Sequence, residues 1–208
     1  MMNKSKFGFT LAEVLITLGI IGIVAAITIP GLITKYRRSV VETKLKKFYS
    51  TMNQAIRHSI ADNEDIVFPD DLDKNSSEHG DVALKWYKEN LTKYIAGAYI
   101  EKYKGYGPER YVKCTFNDGS GFVSYIQGTT LWVFYCLDAF SPYCRHESYD
   151  GEHTFLFVYN PTKKSIDVVG NGKDHSGCLN KNPHNRHVCT AWIKNNGWKI
   201  PDNYPWIK

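Results

Sequence analysis

Cysteine is missing from the first 113 residues of this 208-residue chain, which excludes disulfides and thiolate metal sites from its N-terminal half. Only one apolar run approaches membrane length, so at most one helical crossing is expected. A strong excess of one charge is missing as well. The formal net charge is +5, and removing Lys4 and Lys6 with a short leader leaves +3, too mild and too evenly spread to argue for nucleic acid. The sequence has no internal repeat and no low-complexity tract. It also lacks a nucleophile elbow, a phosphate loop, an HExxH helix and a paired CxxC. Asp138, Ser141 and His146 lie near one another, but three common residues without a convergent pattern do not make a catalytic set. The chain is therefore not read as an enzyme, and nothing in it implies a cofactor.

What is present begins at Phe9. From there to Ile33 run 25 residues that are apolar almost without interruption and contain one acid, Glu13. At about 1.5 Å per residue a helix of this length crosses a bilayer. A carboxylate five residues into such a segment is expensive in hydrocarbon and needs a partner or a task. Upstream lie Lys4, Lys6, Phe7 and Gly8, a basic leader that ends in glycine before the apolar run. A secretory signal peptide places its small-residue cleavage site after the run instead. Downstream, Lys35, Arg37 and Arg38 follow the run, so charge alone leaves the orientation open.

From Val41 the apolar residues Val41, Leu45, Phe48, Met52 and Ile56 recur at steps of three and four, an amphipathic helical stripe. Read continuously, Phe9 to Ala61 is one helix of about 80 Å, loosened or kinked at Pro30. Residues 62–80 read as a polar loop containing Asp70, Asp71, Asp73, Ser76, Ser77 and Gly80, in a spacing that fits no calcium loop. A second helix is expected from Asp81, as its cap, to Tyr99. Strands are expected at 111–116, 122–126, 130–137, 154–159 and 165–169, with turn signals between them. From Gly170 the chain reads as loop, its aromatic tail pinned onto the head. The expected class is α+β: a long N-terminal helix, then a head with a second helix and an antiparallel sheet.

The stretch Gly8-Phe9-Thr10-Leu11-Ala12-Glu13 and its apolar continuation to Pro30 resemble the processing site of type IV pilins and type II secretion pseudopilins. The tail from Asn195 to Trp206 is similar to that of prepilin-like proteins sharing this leader. The resemblance implies cleavage between Gly8 and Phe9 by a prepilin peptidase and N-methylation of Phe9. It makes Glu13 the assembly acid, and Gly22 and Pro30 helix-loosening positions. It further implies segments 1–8 (leader), 9–33 (transmembrane and assembly helix), 34–61 (its amphipathic continuation) and 62–208 (extracytoplasmic head). Other pilin or pseudopilin subunits, the inner-membrane assembly machinery and membrane lipid would be its partners. The chain would sit in the bacterial inner membrane as a single-pass protein and then enter a cell-surface or periplasmic filament. The rival reading is a membrane-anchored glycan-binding or adhesin protein that never polymerises, because 14 tyrosines, 10 phenylalanines and 5 tryptophans could furnish a sugar-binding face.

The five cysteines, Cys114, Cys136, Cys144, Cys178 and Cys189, fit an oxidising compartment. Proximity favours Cys136 with Cys144 and Cys178 with Cys189, each worth about 2–3 kcal/mol by loop closure, leaving Cys114 over. Other pairings remain open. Cys178, His184, His187 and Cys189 also offer a zinc-type ligand set, in a spacing unlike ordinary structural sites.

Overall fold

A computed structural model describes residues 8–69, 79–105, 111–173 and 175–207. Helix α1 (Leu11–Asn63) runs for 53 residues, two past the expected end, and continues unbroken through Gly22 and Pro30. The helix expected to be continuous through Pro30 is continuous there. Pro30 removes one backbone donor, but the turns on either side carry on. The hydroxyls of Thr17, Thr28 and Thr34 donate to the carbonyls of Val14, Val24 and Pro30, so they add no unsatisfied polar group to the apolar stretch.

The two halves of α1 differ in burial. From Gly8 to Ile33 every residue is exposed except half-buried Ala25, whereas Val41, Leu45, Phe48, Met52 and Ile56 are all buried. The stripe read from the sequence is the face that meets the head. Helix α2 is His79–Asn90, and the strands are β1 (Tyr99–Tyr103), β2 (Tyr111–Thr115), β3 (Gly121–Gln127), β4 (Thr130–Cys136), β5 (Thr154–Asn160) and β6 (Ser165–Val168). They form one six-stranded antiparallel sheet in sequential order, a meander. A short helix α3 (Cys189–Asn195) follows.

Three expectations are corrected here. Helix α2 begins at His79, so Gly80 lies inside it and Asp81 stands in its first turn instead of capping it. It ends at Asn90, not Tyr99; a 3-10 turn at Thr92–Tyr94 follows, Gly97 takes a positive φ of 73°, and Tyr99 opens a strand. The C-terminal region contains α3, not loop alone. The polar loop positions Asp70, Asp71, Asp73, Ser76 and Ser77 lie outside the described residues, as do Lys4, Lys6 and Phe7.

Phe48 is the centre of the core. Its ring stacks on Tyr135 at 4.3 Å and meets Phe157 edge-on at 5.0 Å, with Phe122 and Phe116 about it at 6.0 and 6.2 Å. Along β3 and β4, Phe122, Ile126, Leu131, Val133 and Tyr135 belong to this core. Val123 and Cys136 point to a second cluster with Tyr111 and Cys144 on the other face. Burial of both faces explains why these strands read as continuous apolar runs instead of alternating ones.

The free edge of the sheet is closed by a side chain. β6 pairs only with β5, and the buried Asn53 amide of α1 accepts from Ile166 N at 3.0 Å and donates to Ile166 O at 3.2 Å. One amide thus satisfies both groups of an edge residue that would otherwise template another strand. Replacing Asn53 by alanine leaves that buried pair without partners and is expected to cost about 2 kcal/mol, read as a lower urea midpoint at unchanged m.

Polar contacts also tie α1 to the head. Lys44 Nζ donates to Leu137 O at 2.8 Å, and Lys47 Nζ lies 2.9 Å from Asp118 Oδ2. Burial alone would raise the Asp118 carboxyl, but the Ser120 hydroxyl, the Lys47 ammonium and the Ser120 backbone N–H outweigh it and hold the group down at about 2. A carboxyl lowered on folding contributes stability above its unfolded value, lost as pH falls through the folded one. Head stability is therefore expected to fall between about pH 4 and pH 2. Thermal melts of Asp118→Asn should show a shallower acid loss than wild type.

The tail is held by Arg186. Its guanidinium lies 3.3 Å from the centre of the Trp206 ring and donates to the carbonyls of Asn180, Asp150 and Lys181 at 2.8, 3.0 and 3.0 Å. Trp206 Nε1 donates to Cys178 O at 2.6 Å, and Trp198 packs on Tyr49 of α1 at 5.0 Å. The tail aromatics do pin it onto the head.

Candidate processing and assembly site

The site is built by the start of α1. Gly8, Phe9 and Thr10 have no regular structure and are exposed, Phe9 at 90%. A scissile bond after Gly8 would lie in open, extended chain that an enzyme can reach. Among the described residues, none beyond its chain neighbours has a heavy atom within 4 Å of where a Gly8 Cβ would stand, so no described packing contact demands glycine there. A requirement for a small residue would come from whatever binds the segment. The same openness holds at Gly22.

Thr10 is the helix cap, with φ −78° and ψ 151°. Its hydroxyl accepts from Glu13 N at 3.3 Å, while Glu13 Oε2 accepts from Thr10 N at 2.8 Å and from the Thr10 hydroxyl at 2.7 Å. This reciprocal capping box is dictated locally, by threonine and glutamate three residues apart before an apolar run. It holds the one acid of the segment at the positive end of the helix dipole. A new α-amino group at Phe9 would be the residue adjoining this box, within one turn of the Glu13 carboxylate. The sequence marked Gly8, Phe9 and Glu13; it did not reveal that Thr10 already engages the acid, although the capping spacing was there to find.

The remaining candidates fall elsewhere. Gly22 and Pro30 lie on the exposed part of α1, and that helix is long and apolar enough to cross a membrane. The structure joins Cys136 to Cys144 and Cys178 to Cys189, with Cys114 buried as a free thiol that burial pushes up to about 12. With its two sulfurs bonded to each other, the Cys178, His184, His187 and Cys189 set has no thiolate to offer a metal. Asp138 and Ser141 are occupied in a turn, where they accept from Phe140 N and Tyr143 N, and His146 stacks on Tyr111 at 4.4 Å. As for a sugar-binding face, none of the five tryptophans is exposed.

Residues 3–29 match the family model described as the prokaryotic N-terminal methylation motif, the prepilin-type cleavage and methylation signal. Residues 31–173 and 169–207 match the model described as a family of unknown function (DUF6613). The two matches meet at Pro30. No curated protein and no solved structure matches the chain.

Proposed function

From the premise that this chain belongs to the DUF6613 family and opens on a prepilin-type methylation motif, we propose that it is a structural subunit of a type IV pilus-like or type II secretion pseudopilus filament. The observation that carries this reading is the division of α1. One continuous helix bears the methylation motif at its exposed apolar end, and its other end is packed into the head.

In this reading residues 1–8 are a leader, removed when a prepilin peptidase cuts between Gly8 and Phe9, and Phe9 is N-methylated. Residues 9–33 hold the subunit in the inner membrane, 34–61 continue the helix into the head, and 62–208 stand outside the cytoplasm. The assembly machinery then transfers the apolar helix from lipid into a shared filament core, where the same surface is buried again. Glu13 meets the Phe9 amine of a neighbouring subunit and fixes the axial offset; a contact of this kind that repeats without closing makes a helical filament. Gly22 and Pro30 loosen the helix for that repacking, because Pro30 lacks the donor that Ala26 O would otherwise receive. The work is assembly, not catalysis.

Sedimentation of material released by shear or osmotic shock tests this. Recovery of the chain in high-mass particles, lost when the prepilin peptidase is deleted, is the expected result. A chain that stays monomeric in membranes and binds glycans would favour the anchored, non-polymerising alternative.

A further inference from the structure

α1 leaves its apolar run at Ile33 and enters a polar groove at the base of the head. Lys35, Arg38 and Ser39 form one wall and Lys199 and Asp202 the other, around about 460 Å³. The hydrogen-bonding capacity inside it is unevenly used. Glu42 is fully engaged, Oε1 accepting from Ile200 N at 2.9 Å and Oε2 from Lys199 Nζ at 2.7 Å. Arg38 donates one terminal nitrogen to Pro201 O at 2.6 Å, and the other stands 3.9 Å from the exposed Asp202 carboxylate. Its Nε is buried and has no partner. Lys35 is exposed at the rim. Three cations thus face two carboxylates, one of which is already neutralised, and a guanidinium donor is left over.

The height of the groove decides what can fill it. From Leu11 to Lys35 the helix rises about 36 Å, while the hydrocarbon core is about 30 Å thick and headgroups extend the bilayer to roughly 40–45 Å. When α1 spans a bilayer, Lys35 and Arg38 therefore lie in the headgroup layer on the side of the head, at the level of lipid phosphates.

We infer that this groove is a phospholipid headgroup site, which takes the phosphodiester of an anionic lipid through Lys35 Nζ, Arg38 Nη1 and the Ser39 hydroxyl. The cation excess selects an anionic lipid over a zwitterionic one. Planar guanidinium donors suit phosphate oxygens, and Nη1, held only by its 3.9 Å contact with Asp202, is the one that the tail leaves accessible. The bound lipid fixes the height and rotation of the head on the membrane. It also gives a role to two of the three positive charges at the head-side end of the span. This inference rests on reading α1 as a membrane span.

The test is native mass spectrometry of the full chain in detergent, titrated separately with phosphatidylglycerol, phosphatidylcholine and inorganic phosphate. Wild type is expected to retain one phosphatidylglycerol about tenfold more tightly than phosphatidylcholine, and Lys35→Gln and Arg38→Lys each to lose most of that preference. Formation of both disulfides and an unchanged thermal midpoint certify folding. If Arg38→Lys fails to fold, Lys35→Gln decides, because Lys35 is exposed. Equal affinity for the two lipids, an unchanged preference in the variants, or inorganic phosphate binding as tightly as the lipid would each overturn the site. An alkaline wash of membranes separates the two failures. A chain that washes off overturns both the span and the site, while a retained chain with no headgroup preference overturns only the site.

Discussion

Replacing Glu13 by alanine is expected to leave the head folded and to remove the chain from the filament. Glu13 is exposed in the single chain and, among the described residues, its side chain hydrogen-bonds Thr10, so the core around Phe48 does not depend on it. In a filament core its partner would be the Phe9 amine of a neighbouring subunit, shielded from water. Breaking a buried pair by removing one partner costs about 3–5 kcal/mol, because the other charge stays buried and alone. That is about two to four powers of ten in recruitment. Thr10→Ala separates pairing from capping. It removes the cap but keeps the carboxylate, which costs the helix about 1 kcal/mol and should spare most of the assembly. The readout is the fraction of chain in sheared or shocked high-mass material. Equal losses for Thr10→Ala and Glu13→Ala would mean that Glu13 acts only as a capping residue.

Phe48→Ala should do the opposite, leaving the processing segment intact and weakening the head by about 4 kcal/mol. Phe48 is 3% exposed and its ring is enclosed by Tyr135 of β4, Phe157 of β5, Phe122 of β3 and Phe116 of the turn between β2 and β3. Those aromatics are rigid and held by antiparallel pairing, so they cannot collapse into the space the ring leaves. Total stabilities of domains are about 5–15 kcal/mol, so this one change removes a large share. For a domain of this size the thermal midpoint should drop by about 10 °C. A drop of only one or two degrees would show that the cluster repacks and that Phe48 is not its centre.

These two residues also show where sequence reasoning works. The Gly8 to Glu13 stretch lies within a methylation-motif match, and such a motif is local, written in consecutive letters. Phe48 stood out because a helical stripe at steps of three and four is local too. Strands β2 to β6 announced themselves through β-branched and aromatic residues between turn signals. β1 did not. Of Tyr99-Ile100-Glu101-Lys102-Tyr103 only Ile100 is buried, and the Glu-Lys pair reads equally well as a continuing helix. α3 was hidden for a related reason. It has seven residues among Gly, Asn and Pro, and its helix rests on burial of Trp192 and Ile193 and on the disulfide from Cys189. Asn53 with Ile166, Arg186 with Asp150, and Arg38 with Pro201 join residues 113, 36 and 163 positions apart. No local pattern encodes such pairs, and they include the groove at the base of the head.

In the proposed function Phe9 becomes the first residue of a mature subunit. Intact mass with N-terminal peptide mapping of the chain recovered from membranes tests it most directly. The expected chain starts at Phe9, carries a methyl group on its amine, and has four of its five cysteines paired. An unprocessed chain starting at Met1, in cells that contain an active prepilin peptidase, would contradict it.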